Sequence, residues 1–354
     1  MFISTFPEAR IASRDITVVI QGPLYRNHED GDLALQCIAS IRRHLPDADI
    51  LISTWHHQNT AGLDADRIIL SEEPPGFTDT NGNTNNILRQ MVSTRRGIEA
   101  ATRPHVLKFR ADHMLINADF AVLREYPENF PAGKRLFKQP VTVTNYFIRN
   151  PLEVPMLFHI SDLVQFGRRE DMLDLWAVDL PRQSEIYLPD MPTFRLLGHF
   201  VGHTSLAQVP EQTLMLRWLK KHGYEINLPH TCYTSYALFR LWEQLLLDHF
   251  LVMNWHRAGI IFPKRFHFSF YTKNANYTEQ DLETARRSLS GPFYRLRYAR
   301  LLLNKYVSCW FNKAYLRSVA SVLLFSLSPS LARRLRAFYR SRRLPRHLRK
   351  KSGV

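Results

Sequence analysis

The sequence predicts an α/β protein built on a mainly parallel, twisted sheet with flanking helices. Three observations carry that expectation. Short β-branched runs alternate with segments of helical apolar spacing through the first third of the chain. Each run stops abruptly at glycine, proline or a polar cluster. The chain has 354 residues, of which 45% are hydrophobic, enough to bury a full core of this kind.

The elements follow in order. "DITVVIQGPL" opens with a strand from Ile16 to Ile20, stopped by Gly22-Pro23. "DLALQCIASIRRHLP" has Leu33, Leu35, Ile38, Ile41 and Leu45 at helical spacing. "DILIST" and "DRIILS" read as the second and third strands, and "NNILRQMVSTRRGIEAA" as a second amphipathic helix. The fourth strand lies in "HVLKFRADHMLI", which turns polar at Arg110, Asp112 and His113. Beyond residue 140, "VTVTNYFIR" and "LFHISDLVQFG" read as extended and "REDMLDLWAVDL" as helical. "VPEQTLMLRWLKKHGYEINLPH" has Pro210 at a helix start, a carboxylate in its first turn and Gly223 after its end. Residues 237–256 read as one further apolar helix.

In such sheets ligands sit beyond the carboxyl ends of strands. Two polar ends fall there, Gln21-Gly22-Pro23 after the first strand and Arg110 to His113 after the fourth. The polar turn "DTNGNTNN", Asp79 to Asn86, leads into the second helix, where Thr84 or Asn85 has the chemistry of a cap. Asn85, Asn86, Arg89 and Gln90 together exceed what a cap needs, and helical spacing would pair 85 with 89 and 86 with 90. This group is a candidate binding set.

Composition excludes several classes. Cys37, Cys232 and Cys309 lie too far apart in sequence to suggest a disulfide framework or a zinc site. The first residues show no secretory leader pattern. No uninterrupted apolar run reaches the roughly 18 residues a membrane span needs. The net charge of +15 is concentrated in the tail: 18 Lys and Arg lie between Arg286 and Lys351, and no acid follows Glu283. The rest of the chain, with 29 basic and 32 acidic residues, is close to neutral.

The blocks "ITVVIQGPL", "GNTNNILRQMVSTRRGIEAA", "VLKFRADHML", "ISDLVQFGRREDMLDLW" and "VPEQTLMLRWLKKHGYEI" occur in an order that resembles the WavE lipopolysaccharide-synthesis family, over residues from about 15 to 265. The resemblance implies a GT-A-like fold and a nucleotide-sugar-dependent transferase of bacterial lipopolysaccharide or capsular polysaccharide. It implies a turn carrying two acids that hold a divalent ion, Mg2+ or Mn2+, on the sugar diphosphate. Here Arg110-Ala111-Asp112 stands in that place, with one carboxylate for two. Asp112 is therefore a candidate metal ligand, with His203 of "GHFVGH" a weaker one, and Arg110 is a candidate direct partner of phosphate oxygens.

Carried over residue by residue, the resemblance also implies that Gln21, Gly22 and Pro23, with Asp79, contact the nucleoside. An inverting transferase of this kind deprotonates its acceptor with a carboxylate before a helix; counting back from Arg217 puts Glu211 there, although no second acid adjoins it. Asp162 of "HISDLVQFG" is the rival base. The competing expectation is a non-catalytic nucleotide- or glycan-binding component of an assembly complex.

The division expected is a GT-A-like domain over 1–290 and a basic amphipathic tail over 291–354. The tail mixes aromatics, leucines and basic residues in the manner of helices lying on an anionic membrane surface. That predicts a cytoplasmic enzyme, peripheral at the inner face of the cytoplasmic membrane, acting on a glycan or lipid-linked acceptor. The near-neutral body speaks against nucleic acid as its partner.

Overall fold

A computed structural model describes residues 8–78, 84–187, 207–268 and 275–343. The elements in chain order are β1 (Glu8–Arg10), β2 (Ile16–Gln21), α1 (Leu33–His44), β3 (Asp49–Trp55), β4 (Arg67–Ser71), β5 (Phe77–Thr78), β6 (Thr84–Asn85), α2 (Ile87–Ala100), β7 (His105–Arg110), β8 (Met114–Leu115), β9 (Val122–Arg124) and β10 (Val141–Thr144). There follow β11 (Gln165–Arg168), α3 (Arg169–Trp176), α4 (Gln183–Ile186), α5 (Pro210–Lys221), α6 (Tyr236–His249), β12 (Phe250–Met253) and β13 (Ile260–Ile261). Four helices close the described chain: α7 (Glu279–Ser288), α8 (Phe293–Tyr306), α9 (Lys313–Leu327) and α10 (Pro329–Arg343).

A seven-stranded sheet runs in the order β12-β10-β11-β7-β2-β3-β4. Strands β7, β2, β3 and β4 are mutually parallel, β10 and β12 are parallel, and β11 alone runs against its neighbours β7 and β10. The α/β expectation and the first four strands are thus observed. All six residues of β2 are buried, as a central strand covered on both faces requires. Alternate side chains serve different layers. Val19 joins a core with α2, α3, α5 and α6, while Val18 and Ile20 join another with α1.

Local chemistry sets the two helices that flank the early strands. Asp32 caps α1 by accepting from the Leu35 amide at 3.1 Å, and Arg42, Arg43 and His44 occupy its last turn. On α2, Gly97 lies so close to β2 that a Cβ there would come within 2.2 Å of Val19 Cγ1. Only glycine permits that approach.

Three expectations change. Residues 237–256 are not one helix: α6 ends at His249, and Phe250–Met253 forms the outer strand β12 against β10. Both segments are apolar, so periodicity alone does not separate them. In "VTVTNYFIR" and "LFHISDLVQFG" only Val141–Thr144 and Gln165 onward are strand. Residues 145–164 are irregular yet largely buried.

Candidate active site

The register of the sheet assembles the first half of the site. Gln21 at the end of β2 lies opposite Arg110 at the end of β7 and opposite Ser53 of β3. Gln21 is buried, and its Oε1 accepts from Ser93 Oγ of α2 at 2.9 Å. Gly22 then turns with φ +89°, its N–H donating to the Ser53 carbonyl and its own carbonyl accepting from Thr54 Oγ1 at 2.8 Å. Pro23 follows, exposed.

Arg110 holds Asp112 with two hydrogen bonds, Nε to Oδ1 at 3.0 Å and Nη2 to Oδ2 at 3.1 Å. His113 Nδ1 meets Asp112 Oδ1 at 2.8 Å. A carboxylate only accepts, so Nδ1 carries a proton. Burial pushes His113 down to about 4, among the rings of Phe109, Phe262 and Phe266. Burial opposes ionisation of Asp112, yet Arg110 and His113 outweigh it and hold the carboxyl well below its usual range.

The group before α2 divides. Asn85 Oδ1 accepts from the Ile87 amide, and Arg89 pairs with Glu73 at 3.0 Å and with Asn86 Oδ1 at 3.0 Å. These three residues tie the loop to the helix start. Asn85 lies before the helix and so does not face 89 as expected, whereas Asn86 is the N-cap and its carbonyl accepts from the Gln90 amide at 3.0 Å. Gln90 alone of the group reaches the other segment, its Nε2 donating to Asp162 Oδ2 at 2.7 Å.

Asp162 and Glu211, the two rival carboxylates, are brought together. Asp162 is buried, and burial first and the Glu211 charge second raise its pKa; Lys108, Gln90 and Arg110 pull the other way. Lys108, fully buried on β7, donates through Nζ to the Asp162 backbone carbonyl, and burial lowers it to about 7. Glu211 sits in the first turn of α5, where a helix favours a carboxylate, but burial still raises it. Its side chain keeps 15% exposure, against none for Asp112.

His159 Nε2 faces Glu211 Oε2 at 3.7 Å. Its Nδ1 lies 2.8 Å from the Phe147 carbonyl, which cannot donate, so Nδ1 carries the proton and Nε2 presents a lone pair to Glu211. Burial takes His159 to about 3, keeping it neutral, and Arg149 supplies the positive charge that Glu211 feels. Tyr25, Phe147 and Phe158 are the non-glycine residues with positive φ among those described, at 52°, 69° and 57°. All three adjoin these groups: Tyr25 OH lies 3.5 Å from Arg110 Nη2, Phe147 anchors His159, and Phe158 precedes it. Such strain in bulky residues gathers where a site over-determines its backbone.

Lys108, Arg149, His159 and Ser93 are absent from the sequence-derived set. A lysine inside "VLKFR", alternating with Arg110, is a readable signal for Lys108. Nothing in the sequence joins Arg149 or His159 to Glu211. Asp79 and His203 lie outside the described residues. Among the described residues no three His, Cys, Asp or Glu side chains gather as cation ligands. Both Asp112 oxygens already face Arg110 and His113, so a cation there would have to displace the guanidinium. The described residues alone do not form a metal centre.

This is a mixed α/β chain with its charged groups collected at the carboxyl ends of a mostly parallel sheet, where such sheets take ligands. It belongs to the WavE lipopolysaccharide synthesis family, whose model matches residues 16–336. That span includes α8, α9 and part of α10. No curated protein matches the sequence. Among solved structures, the mannosyltransferase PcManGT from Pyrobaculum calidifontis, in complex with GDP-Man and Mn2+, is similar at 13% identity, covering 92% of each chain, with a TM-score of 0.32. A Drosophila beta-1,4-galactosyltransferase 7 variant, in complex with manganese, UDP-Gal and xylobiose, is similar at 12% identity over 48% of this chain, with a TM-score of 0.24. The match spans 58% of that galactosyltransferase chain.

Proposed function

We propose that this chain is a nucleotide-sugar-dependent glycosyltransferase of lipopolysaccharide assembly, acting with inversion on a glycan or lipid-linked acceptor at the cytoplasmic face of the inner membrane; the same chemistry would serve a capsular polysaccharide. The observation that carries the reading is the pair Asp162 and Glu211. Asp162 is buried and Glu211 half-buried, both carboxyls are raised above their ordinary range, and an arginine at the end of a central strand lies near. Raised acids and a fixed cation are what proton removal at one end of a displacement and charge release at the other require.

In this reading Glu211 accepts the proton of the acceptor hydroxyl as that oxygen attacks the anomeric carbon. The bond from that carbon to the phosphate oxygen breaks, and the nucleoside diphosphate leaves. Glu211 takes the base role over Asp162 because it is the more exposed of the two, and because protonated Glu211 has the His159 Nε2 lone pair before it. Arg110 spends Nε and Nη2 on Asp112, which leaves its Nη1 donors for a phosphate oxygen. Asp112 thus aims the guanidinium. Gln21, Gly22 and Pro23 form the nucleoside edge, and Asn85, Asn86 and Arg89 shape its loop wall. Gln90 and Lys108 position Asp162.

A thermal-shift panel of nucleotide sugars, read with and without Mn2+ or Mg2+ and followed by turnover of the donor that binds, tests this. Stabilisation by one donor and transfer from it support the reading. Donor binding with neither transfer nor hydrolysis would instead make the chain a binding component. A strict metal requirement would show that a cation takes part, and Asp112→Asn and His203→Ala would then test which residues hold it.

A further inference from the structure

The C-terminal helices leave large apolar side chains exposed although part of each is packed inward. On α8 the buried residues are Tyr294, Arg297, Leu301 and Lys305, while Phe293, Leu296 and Leu303 face outward. The inward cations have partners: Arg297 Nη2 donates to buried Glu243 at 2.5 Å, and Lys305 Nζ donates to the Cys232 carbonyl at 2.8 Å and to Thr234 Oγ1 at 3.0 Å. The helix therefore docks on the body through Tyr294 and Leu301 together with these two cations, and leaves Phe293, Leu296 and Leu303 uncovered. The next two helices bury Tyr315, Val319, Val322 and Phe325 on α9 and Ala332 on α10, and still expose Leu316, Leu323 and Leu327 on α9 and Leu331, Leu335 and Phe338 on α10.

The four most exposed large apolar side chains among the described residues all lie here: Phe311 at 89%, Leu327 at 83%, Phe293 at 68% and Leu296 at 64%. Exposed Arg295, Lys313, Arg317, Arg333 and Arg334 are interleaved with them. No acid follows Glu283. No helix among the described residues is long and apolar enough to cross a membrane. An apolar stripe flanked by cations with no compensating acid suits a surface that offers hydrocarbon beneath negative head groups. A second copy of the same face would oppose like charges. Nucleic acid would meet the cations but leave the leucines unused.

We infer that α8, α9 and α10 form a docking face for an anionic lipid bilayer, with Phe293, Leu296, Phe311 and Leu327 entering its apolar layer. The face does not depend on the transfer reaction. Flotation of the full chain with phosphatidylcholine vesicles, with and without phosphatidylglycerol, tests it. The wild-type chain should float with the phosphatidylglycerol vesicles at low salt and be released progressively as salt rises. Phe311→Ser with Leu327→Ser should weaken partition by roughly tenfold or more for each side chain lost, with donor-induced thermal shifts unchanged. Phe293→Ser with Leu296→Ser, on a different helix, should act the same way.

Absence of flotation overturns the inference, as does flotation that neither double variant weakens. A wild-type dimer in sedimentation that the variants dissolve would assign the face to a second copy. Duplex DNA that displaces the vesicles and binds the variants as tightly as the wild type would assign it to nucleic acid. Flotation with no donor binding or turnover leaves the docking face standing and removes the transferase reading.

Discussion

Two buried charged groups adjoin each other at the sheet's carboxyl end, and their electrostatics have opposite sign. In the first, Asp112 is closed off from solvent but receives two hydrogen bonds from Arg110 and one from His113, so its carboxyl is driven well below the ordinary range. In the second, buried Asp162 and half-buried Glu211 have far less compensation, and both are raised. Burial is common to the two. What differs is whether a guanidinium spends its donors on the carboxylate. The first group is held ionised and fixed, and in the proposed reading the second exchanges a proton. A transferase needs one of each.

The largest effect should come from the second group. Glu211→Gln removes the proposed proton acceptor while keeping size and hydrogen-bonding shape, and should cut turnover by about 10²–10⁴-fold with donor binding retained. Turnover at the wild-type rate would remove Glu211 from the base role. If Asp162→Asn instead produced the larger loss, the two carboxylates would exchange parts.

The first group should show itself in stability. Arg110→Ala leaves Asp112 buried without its main partner, a change that costs about 3–5 kcal/mol in comparable buried pairs. Chemical denaturation of the variant measures it directly. Arg110→Lys should recover only part of the loss, because an ammonium cannot reproduce the two parallel bonds from Nε and Nη2. Donor affinity should fall in both variants.

The two groups were not equally legible. Gln21, Arg110 and Asp112 stand where apolar strands turn polar, and parallel pairing brings such ends together by rule, so the sequence pattern reached them. Asp162 and Glu211 could be named singly, but their proximity depends on residues 145–164, a buried stretch with no periodicity to read. Arg149 and His159 were missed for the same reason. The strand β12 was hidden by the helix before it, since both are apolar. The tail's amphipathic character was plain, but which face turned inward was not. Arg297 and Lys305 face the body only because Glu243 and the Cys232 carbonyl wait there, and no local pattern announces partners 54 and 73 residues away.

The smallest effect sharpens the comparison most, because it requires the two aspartates to respond oppositely to the same chemical change. Asp162→Asn keeps an oxygen for Gln90 and leaves the Lys108 bond, made to the backbone carbonyl, intact. Lys108 is already drawn to about 7 and can shed its proton when the neighbouring charge goes. The variant should therefore be more stable than the wild type at pH 7, by about 0.5–2 kcal/mol, at the expense of activity. Asp112→Asn should be less stable at the same pH. Their pH dependence separates them further. A raised carboxyl contributes stability below its unfolded value and loses it as pH climbs through its folded one, so the Asp162→Asn gain should shrink to nothing as pH falls to about 4. A depressed carboxyl contributes above its unfolded value and loses it only as pH drops through its folded one, so the Asp112→Asn deficit should persist past that point. Denaturation midpoints of both variants from pH 4 to 8 measure the contrast. Two deficits of the same sign at neutral pH would mean that Asp162 is as fully compensated as Asp112, and the distinction between a fixed pair and a proton-exchanging one would fall.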